Sequence, residues 1–248
     1  MPKVIVFDLD GTLAPSKQPI TLEMTELLGQ LLEKYTVCVI SGGLFARFET
    51  QLLHDLLIPP RSLANLHLMP TNGTQYYRFI DGQWQRVYSE DMDLADRETI
   101  AGVLEQQAKA LNVWEAKTWG PQIEDRGTQV TFSGLGQEAP LDAKKAWDPE
   151  GTKRGDLARA VMEELPNFEA TVAGETSVDV TRKGVDKAYG LRKLQETLEV
   201  MQSEMLFIGD ALTPEGNDYP AKAAGYETIA VQDDVECAQV IRNLLANS

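Results

Sequence analysis

Short apolar runs alternate with longer amphipathic stretches in the first third of this chain. Residues 4–7 (VIVF) are apolar throughout and pass straight into polar residues, as a strand buried on both faces of a sheet does. Residues 21–33 place Leu22, Leu27, Leu28, Leu31 and Leu32 close to helical spacing. A second buried run follows at 36–40 (TVCVI), then a helix at 45–57, then a third run at 65–69. Strand, helix, strand, helix, strand is the opening of an open parallel sheet.

The rhythm then changes. Residues 76–89 (YYRFIDGQWQRVYS) alternate on both sides of Asp81-Gly82, which predicts a hairpin. Helices are expected at 93–111 and 151–164, with strands at 113–117, 122–125, 129–133, 169–173 and 177–181. The first rhythm returns with helix 187–200, strand 205–208, helix 219–224, strand 228–231 and a last helix from 235. The predicted fold class is α/β: a doubly wound parallel-sheet core from 1–80 and 184–248, with an inserted α+β cap domain at 81–183. Trp84, Trp114, Trp119 and Trp147 all fall in that insert and read as its packing.

Composition narrows the partners. The 248 residues carry 23 Lys and Arg against 38 Asp and Glu, a formal charge of −15. So acidic a surface repels nucleic acid and anionic lipid, and an anionic substrate needs a local cation. No apolar run approaches the roughly 18 residues of a membrane span, and the N-terminus lacks signal-peptide regions. Two cysteines, Cys38 and Cys237, form no spaced framework, so a reducing cytoplasm is expected. His54 and His67 have no ligand-like neighbours and read as surface or packing residues.

In open α/β sheets, ligands bind beyond the carboxyl ends of the strands. The first strand ends in Asp8 and Asp10, the second in Ser41-Gly42-Gly43, the third in Thr71-Asn72-Gly73. The next core strand ends in Gly209-Asp210, followed by Asn217 and Asp218, and Lys187 begins the helix after the insert. Asp8, Asp10 and Asp210 form an oxygen-rich set suited to Mg²⁺, whose charge offsets their repulsion. Asp8 is then a candidate nucleophile toward phosphorus and Asp10 a candidate general acid and base. Ser41 and the N–H groups of Gly42 and Gly43 would hold phosphate oxygens at a helix start. Lys187 would stabilise the charge of the transition state. Each has a plainer reading. Asp-Gly is turn chemistry, Asn217 and Asp218 cap helices, Ser41 caps a helix, Asn72 makes a turn, and Lys187 is a surface cation.

The stretches DLDGT, ISGG, DKAYGL and GDALTPEGND, in that order, resemble the four motifs of the haloacid dehalogenase superfamily. The insert between the second and third is similar to the C2b cap. IEDRGTQVTFSGLGQ, GETSVDV and GDALTPEGNDYPAKAAGY resemble the α-phosphomannomutase branch. That resemblance implies a small phosphorylated sugar as substrate, bound from the cap by Arg126, Lys144, Ser177 and Asp179, and a homodimer through the cap. Read as residues alone, Arg126 is an exposed strand charge, and Ser177 and Asp179 share one polar strand face. Two positions depart from the branch: Gln137 and Lys144 stand where it has arginines. A mutase must hold phosphate at a distal site, and Gln brings no charge there. The expectation is Mg²⁺-dependent phosphoryl transfer through phospho-Asp8, with hydrolysis of a hexose phosphate as the main outcome. Phosphomannomutase activity is the alternative, and a sugar-phosphate-binding protein the non-enzymatic one.

Overall fold

The computed structural model describes residues 2–15 and 18–247. The chain divides into two compact units, Met1–Ser89 with Val185–Ser248, and Glu90–Gly184. In chain order the first unit begins with β1 (Val4–Phe7), α1 (Leu22–Leu32), β2 (Thr36–Ile40), α2 (Phe45–Phe48), α3 (Pro60–Leu63), β3 (Leu66–Met69), β4 (Gln75–Ile80) and β5 (Gln83–Ser89). The second unit holds α4 (Leu94–Ala110), β6 (Ile123–Asp125), β7 (Gln129–Ser133), α5 (Leu141–Trp147), α6 (Thr152–Glu164), β8 (Phe168–Ala173) and β9 (Ser177–Arg182). The first resumes with α7 (Lys187–Leu198), β10 (Met205–Gly209), α8 (Tyr219–Ala223), β11 (Glu227–Ala230) and α9 (Asp234–Ala246).

The first unit is a sheet of order β11-β10-β1-β2-β3-β4-β5. Its first five strands run parallel and its last two antiparallel. Alternate residues of the central strands feed two separate cores. Ile5 and Phe7, Val37 and Val39, Leu206 and Ile208 pack with α1 and α9. Val4 and Val6, Cys38 and Ile40, Met205 and Phe207 pack with α7 and α8. Burial on both faces explains why these strands read as unbroken apolar runs. The chain leaves β1 toward β2 and β3, then returns on its other side as β10 and β11. The crevice between β1 and β10 is therefore the topological switch point, where such sheets bind ligands.

The second unit is a four-stranded antiparallel sheet of order β6-β7-β9-β8. Val130, Phe132, Val178 and Val180 face Ile100, Leu104 and Ala108 of α4 and Leu157 and Val161 of α6. The opposite face of β7 and β9 carries Gln129, Thr131, Ser133, Ser177, Asp179 and Thr181.

Four local expectations differ from the structure. The hairpin at Asp81-Gly82 forms, but β4 pairs with β3, so the first unit extends to Ser89 rather than 80. Trp84 accordingly packs against the core of the first unit and not in the insert. No strand forms at 113–117, because the N–H groups of Val113 and Trp114 both close onto the Ala108 carbonyl at the end of α4. The helix expected at 45–57 is four α-helical residues followed by a π-helical turn, Glu49–Leu53. Among the described residues no helix is long and apolar enough to cross a membrane, and both cysteines are free and buried.

His54 lies exposed beside Asp55, whereas His67 is buried on β3 with Nδ1 2.6 Å from the Tyr76 hydroxyl. Burial, aided by the Arg78 guanidinium, lowers the His67 pKa from 6.5 to about 4. The fold therefore holds a neutral imidazole. The unfolded chain takes up a proton below pH 6.5 while the folded one does not, so stability falls as pH falls toward 4. About 2 kcal/mol should be lost at this site between pH 7 and pH 5. Urea denaturation of His67→Gln at both pH values should show a loss smaller than that of the natural chain by that amount. Equal losses would refute the assignment.

Candidate active site

Two loops at the carboxyl edge of the sheet, after β1 and after β10, bring the acids together. β1 ends at Phe7, level with Ile208 of β10, and the Asp8 N–H donates to the Ile208 carbonyl at 3.0 Å. Asp8 and Asp210 thus emerge side by side at the switch point. The loop after β10 then folds back. Gly209 and Gly216 make this possible: a Cβ on Gly209 would stand 2.3 Å from Asp218 Oδ2, and one on Gly216 would stand 2.0 Å from the Ala211 carbonyl oxygen. Asp218 ends fully buried, with Oδ2 accepting from the Ala211 N–H at 3.1 Å.

Lys187 enters from α7. Asp186 caps that helix, accepting from the Tyr189 N–H at 2.8 Å. The next residue, Lys187, is wholly buried and donates to Asp8 Oδ1 and, at 2.9 Å, to the Ile40 carbonyl. Its Nζ lies 3.4 Å from Asp218 Oδ1. The helix reaches this depth because Gly190 presents no side chain: a Cβ there would meet Ile40 Cδ1 at 2.3 Å and the Asn72 carbonyl oxygen at 2.7 Å. Asn72 sits in that facing loop with φ +54°, between Thr71 at +48° and Gly73 at +89°. This left-handed turn meets α7 at Gly190.

The electrostatics follow from burial. Burial pushes the Asp8 carboxyl up, against the pull of Lys187. Burial opposes a charge on Lys187 as well, but Asp8 and Asp218 outweigh it and raise its pKa. Asp210, at the open edge, is also raised, by burial and by the Asp218 charge. One ammonium does not balance three acids. Asp8, Asp210 and Asp218 each offer an oxygen within 4.8 Å of the others, and Asp218 Oδ1 is buried without a hydrogen bond. An all-oxygen set of this kind fits a hard divalent cation.

The acidic set expected from sequence was Asp8, Asp10 and Asp210. The structure gathers the carboxylates of Asp8, Asp210 and Asp218, whereas the Asp10 carboxylate turns toward α2: Oδ1 accepts from Gln51 Nε2 at 3.1 Å and Oδ2 from Arg47 Nη1 at 3.4 Å. Asp218 is no mere helix cap, since its side chain accepts from Ala211 rather than from α8. Asn217, expected beside Asp218 as a supporting residue, is exposed. Ser41 is buried, but Leu44 holds the N-cap position of α2, and Ser41 Oγ accepts instead from the Gly43 N–H at 3.1 Å. Gly42 and Gly43 lie in the same turn. Arg47 and Gln51 were not foreseen. Their signal was the spacing of four from Arg47 to Gln51, which puts the two on one side of the helical segment that follows the Ser41-Gly42-Gly43 turn.

The second unit gathers its own polar group. Asp179 Oδ1 accepts from Thr131 Oγ1 at 2.8 Å, and Gln129 Nε2 donates to that same hydroxyl at 2.9 Å. Ser177 lies two residues along β9, level with Ser133. Arg126 follows β6, nearly buried, with its guanidinium against Glu124 at 2.6 Å. Lys144 is buried and donates to the Gln137 carbonyl at 2.8 Å. Gln137 Nε2 is buried without a hydrogen-bond partner.

Fold and site together define an acid-rich α/β enzyme whose chemistry is centred on the end of β1. A profile of haloacid dehalogenase-like hydrolases matches residues 5–220, and the chain belongs to that family. It is 24% identical to a phosphomannomutase of Saccharomyces cerevisiae, over 97% of this chain and 94% of the relative. It is 26% identical to a phosphomannomutase of Triticum aestivum, over 93% of this chain and 92% of the relative. The fold matches a haloacid dehalogenase-like hydrolase from Bacteroides thetaiotaomicron with TM-score 0.66 at 17% identity, over 98% of this chain and all of that one.

A divalent cation held by the triad should stabilise the fold. Adding Mg²⁺ to chelator-treated protein should raise the melting temperature by several degrees. Asp210→Asn should abolish that rise, and Asn217→Ala should keep it. An Asp210→Asn protein that responds like the natural chain would exclude the triad as the metal site.

Proposed function

We propose that the protein transfers phosphoryl groups on a hexose phosphate through phospho-Asp8, interconverting mannose 6-phosphate and mannose 1-phosphate. The observation that carries the phosphoryl transfer is the Asp8 carboxylate held by buried Lys187 beside Asp210 and Asp218. The likeness to phosphomannomutases across more than nine-tenths of the chain supports the mutase outcome over the hydrolysis expected from Gln137 alone.

Asp8 attacks phosphorus, and the bond from phosphorus to the sugar oxygen breaks. Asp10 donates its proton to the departing oxygen and later removes one from the incoming hydroxyl. Lys187 orients Asp8 and holds positive charge where the transferring group is negative. Asp8, Asp210 and Asp218 would hold Mg²⁺, which supplies charge neutralisation between the acids and the phosphoryl oxygens. Ser41, Gly42 and Gly43 are proposed to bind the phosphate, and Arg126, Lys144, Ser177 and Asp179 the sugar phosphate. The buried free cysteines support a cytoplasmic setting, and dimerisation through the second unit accompanies this reading.

Hydrolysis remains the second reading on one observation. Where the phosphomannomutase branch has an arginine, Gln137 brings no charge, and Arg154 of the same unit is engaged by Asp148 at 2.9 Å. Phosphorus NMR of mannose 1-phosphate with Mg²⁺, with and without catalytic hexose 1,6-bisphosphate, separates the two. A bisphosphate-dependent 6-phosphate signal with little inorganic phosphate is expected. Inorganic phosphate as the only product would overturn the mutase reading. Asp8→Asn should lower turnover at least about a thousandfold with the fold intact; unchanged turnover would refute phospho-Asp8.

A further inference from the structure

Asp10 is held by two side chains from one helical face, and both are placed with more care than a surface ion pair needs. Gln51 is 4% exposed. Its Nε2 donates to Asp10 Oδ1 at 3.1 Å and to the Gln18 carbonyl at 3.2 Å. Its Oε1 is buried without a hydrogen-bond partner, so the amide is oriented by what its nitrogen holds. Arg47 approaches the other oxygen, Oδ2, at 3.4 Å. Its stem lies across Gly43, where a Cβ would stand 2.9 Å from Arg47 Cδ. Gly43 therefore leaves room for Arg47 to cross toward Asp10. Gln51 sits in the π-helical turn Glu49–Leu53, a distortion common at functional sites.

We propose that Arg47 and Gln51 are positioning residues that hold Asp10 for proton transfer. The proposal rests on the acid and base role given to Asp10 above. In the first half-reaction Asp8 attacks phosphorus, the ester oxygen leaves, and the Asp10 carboxyl gives it a proton, becoming a carboxylate. In the second, an incoming hydroxyl attacks phospho-Asp8, its proton passes to that carboxylate, and Asp8 is released. Both donors match the carboxylate form, one to each oxygen. They keep its carboxylate in one orientation.

The test is the dependence on leaving group. An alkoxide leaves badly unless protonated, whereas p-nitrophenolate leaves without help. Single-turnover release should be measured in the holoenzyme with mannose 6-phosphate and with p-nitrophenyl phosphate. Arg47→Met and Gln51→Met should each slow release from the sugar phosphate about 10- to 100-fold, with KM within about threefold. The loss with p-nitrophenyl phosphate should be about tenfold smaller. Arg47→Lys, which keeps a cation, should recover most of the Arg47→Met loss. Arg47 is about one-third exposed at its side chain, so its variants should fold even if Gln51→Met does not. Equal losses on the two substrates, or none on the sugar phosphate, would overturn the proposal. Asp10→Asn is the control. If it shows the leaving-group bias and Arg47→Met does not, the positioning role fails and the role of Asp10 stands. If Asp10→Asn shows no bias, the role of Asp10 fails and the proposal with it.

Discussion

A single buried ammonium organises the first unit. Lys187 has no exposed surface and lies against Asp8 and Asp218, themselves almost or wholly buried. An isolated charge in such a place would be costly, and removal of one partner from a buried ion pair costs about 3–5 kcal/mol. The surrounding geometry reads as what must be true for that pair to form. α7 must come close, so Gly190 lacks a side chain and the loop at Thr71–Gly73 turns left-handed to meet it. The loop after β10 must fold back tightly, so Gly209 and Gly216 leave room for Asp218 and Ala211. The glycines in these motifs are spatial consequences of bringing Lys187 to Asp8.

Much of this was legible because its causes are local. A strand buried on both faces is an unbroken apolar run, and VIVF, TVCVI and MLFI announce the sheet without any tertiary information. The carboxyl ends of those runs then name Asp8, Asp210 and the Ser41 turn. Long-range pairing was less legible. The hairpin around Asp81-Gly82 was visible, but not that β4 would continue the large sheet by pairing with β3, since a hairpin's own pattern does not name its third strand. The gathering of the Asp218 carboxylate beside Asp8 and Asp210, with that of Asp10 turned elsewhere, has the same origin. Spacing of two puts Asp8 and Asp10 at one strand end, but the direction of the Asp10 carboxylate is set by Arg47 and Gln51 on a helix some forty residues away.

The second unit poses a different electrostatic problem from the first. Its polar sheet face is linked internally, from Gln129 to Thr131 to Asp179, and Arg126 is set against Glu124. A guanidinium beside a carboxylate is oriented and partly neutralised, so a phosphate there competes with Glu124 for the same donors. Lys144 is likewise oriented by the Gln137 carbonyl. Such a face offers oriented, partly neutralised polar groups rather than dense free positive charge.

This difference gives Gln137 its physical meaning. An arginine there would add a fixed planar charge. The glutamine instead buries an amide nitrogen that has no hydrogen-bond partner, and a buried donor left unmet costs about 1–3 kcal/mol. Such a cost is recovered when an acceptor arrives, and a phosphate oxygen is an acceptor of the right kind. A neutral amide donor would hold a phosphate more weakly than a guanidinium group. For a mutase this has a kinetic consequence. The bisphosphate must stay long enough to reverse its orientation, and a weaker distal grip shortens that stay. Under the function proposed above, Gln137 therefore bears on the balance between return of the phosphoryl group to the sugar and its loss to water.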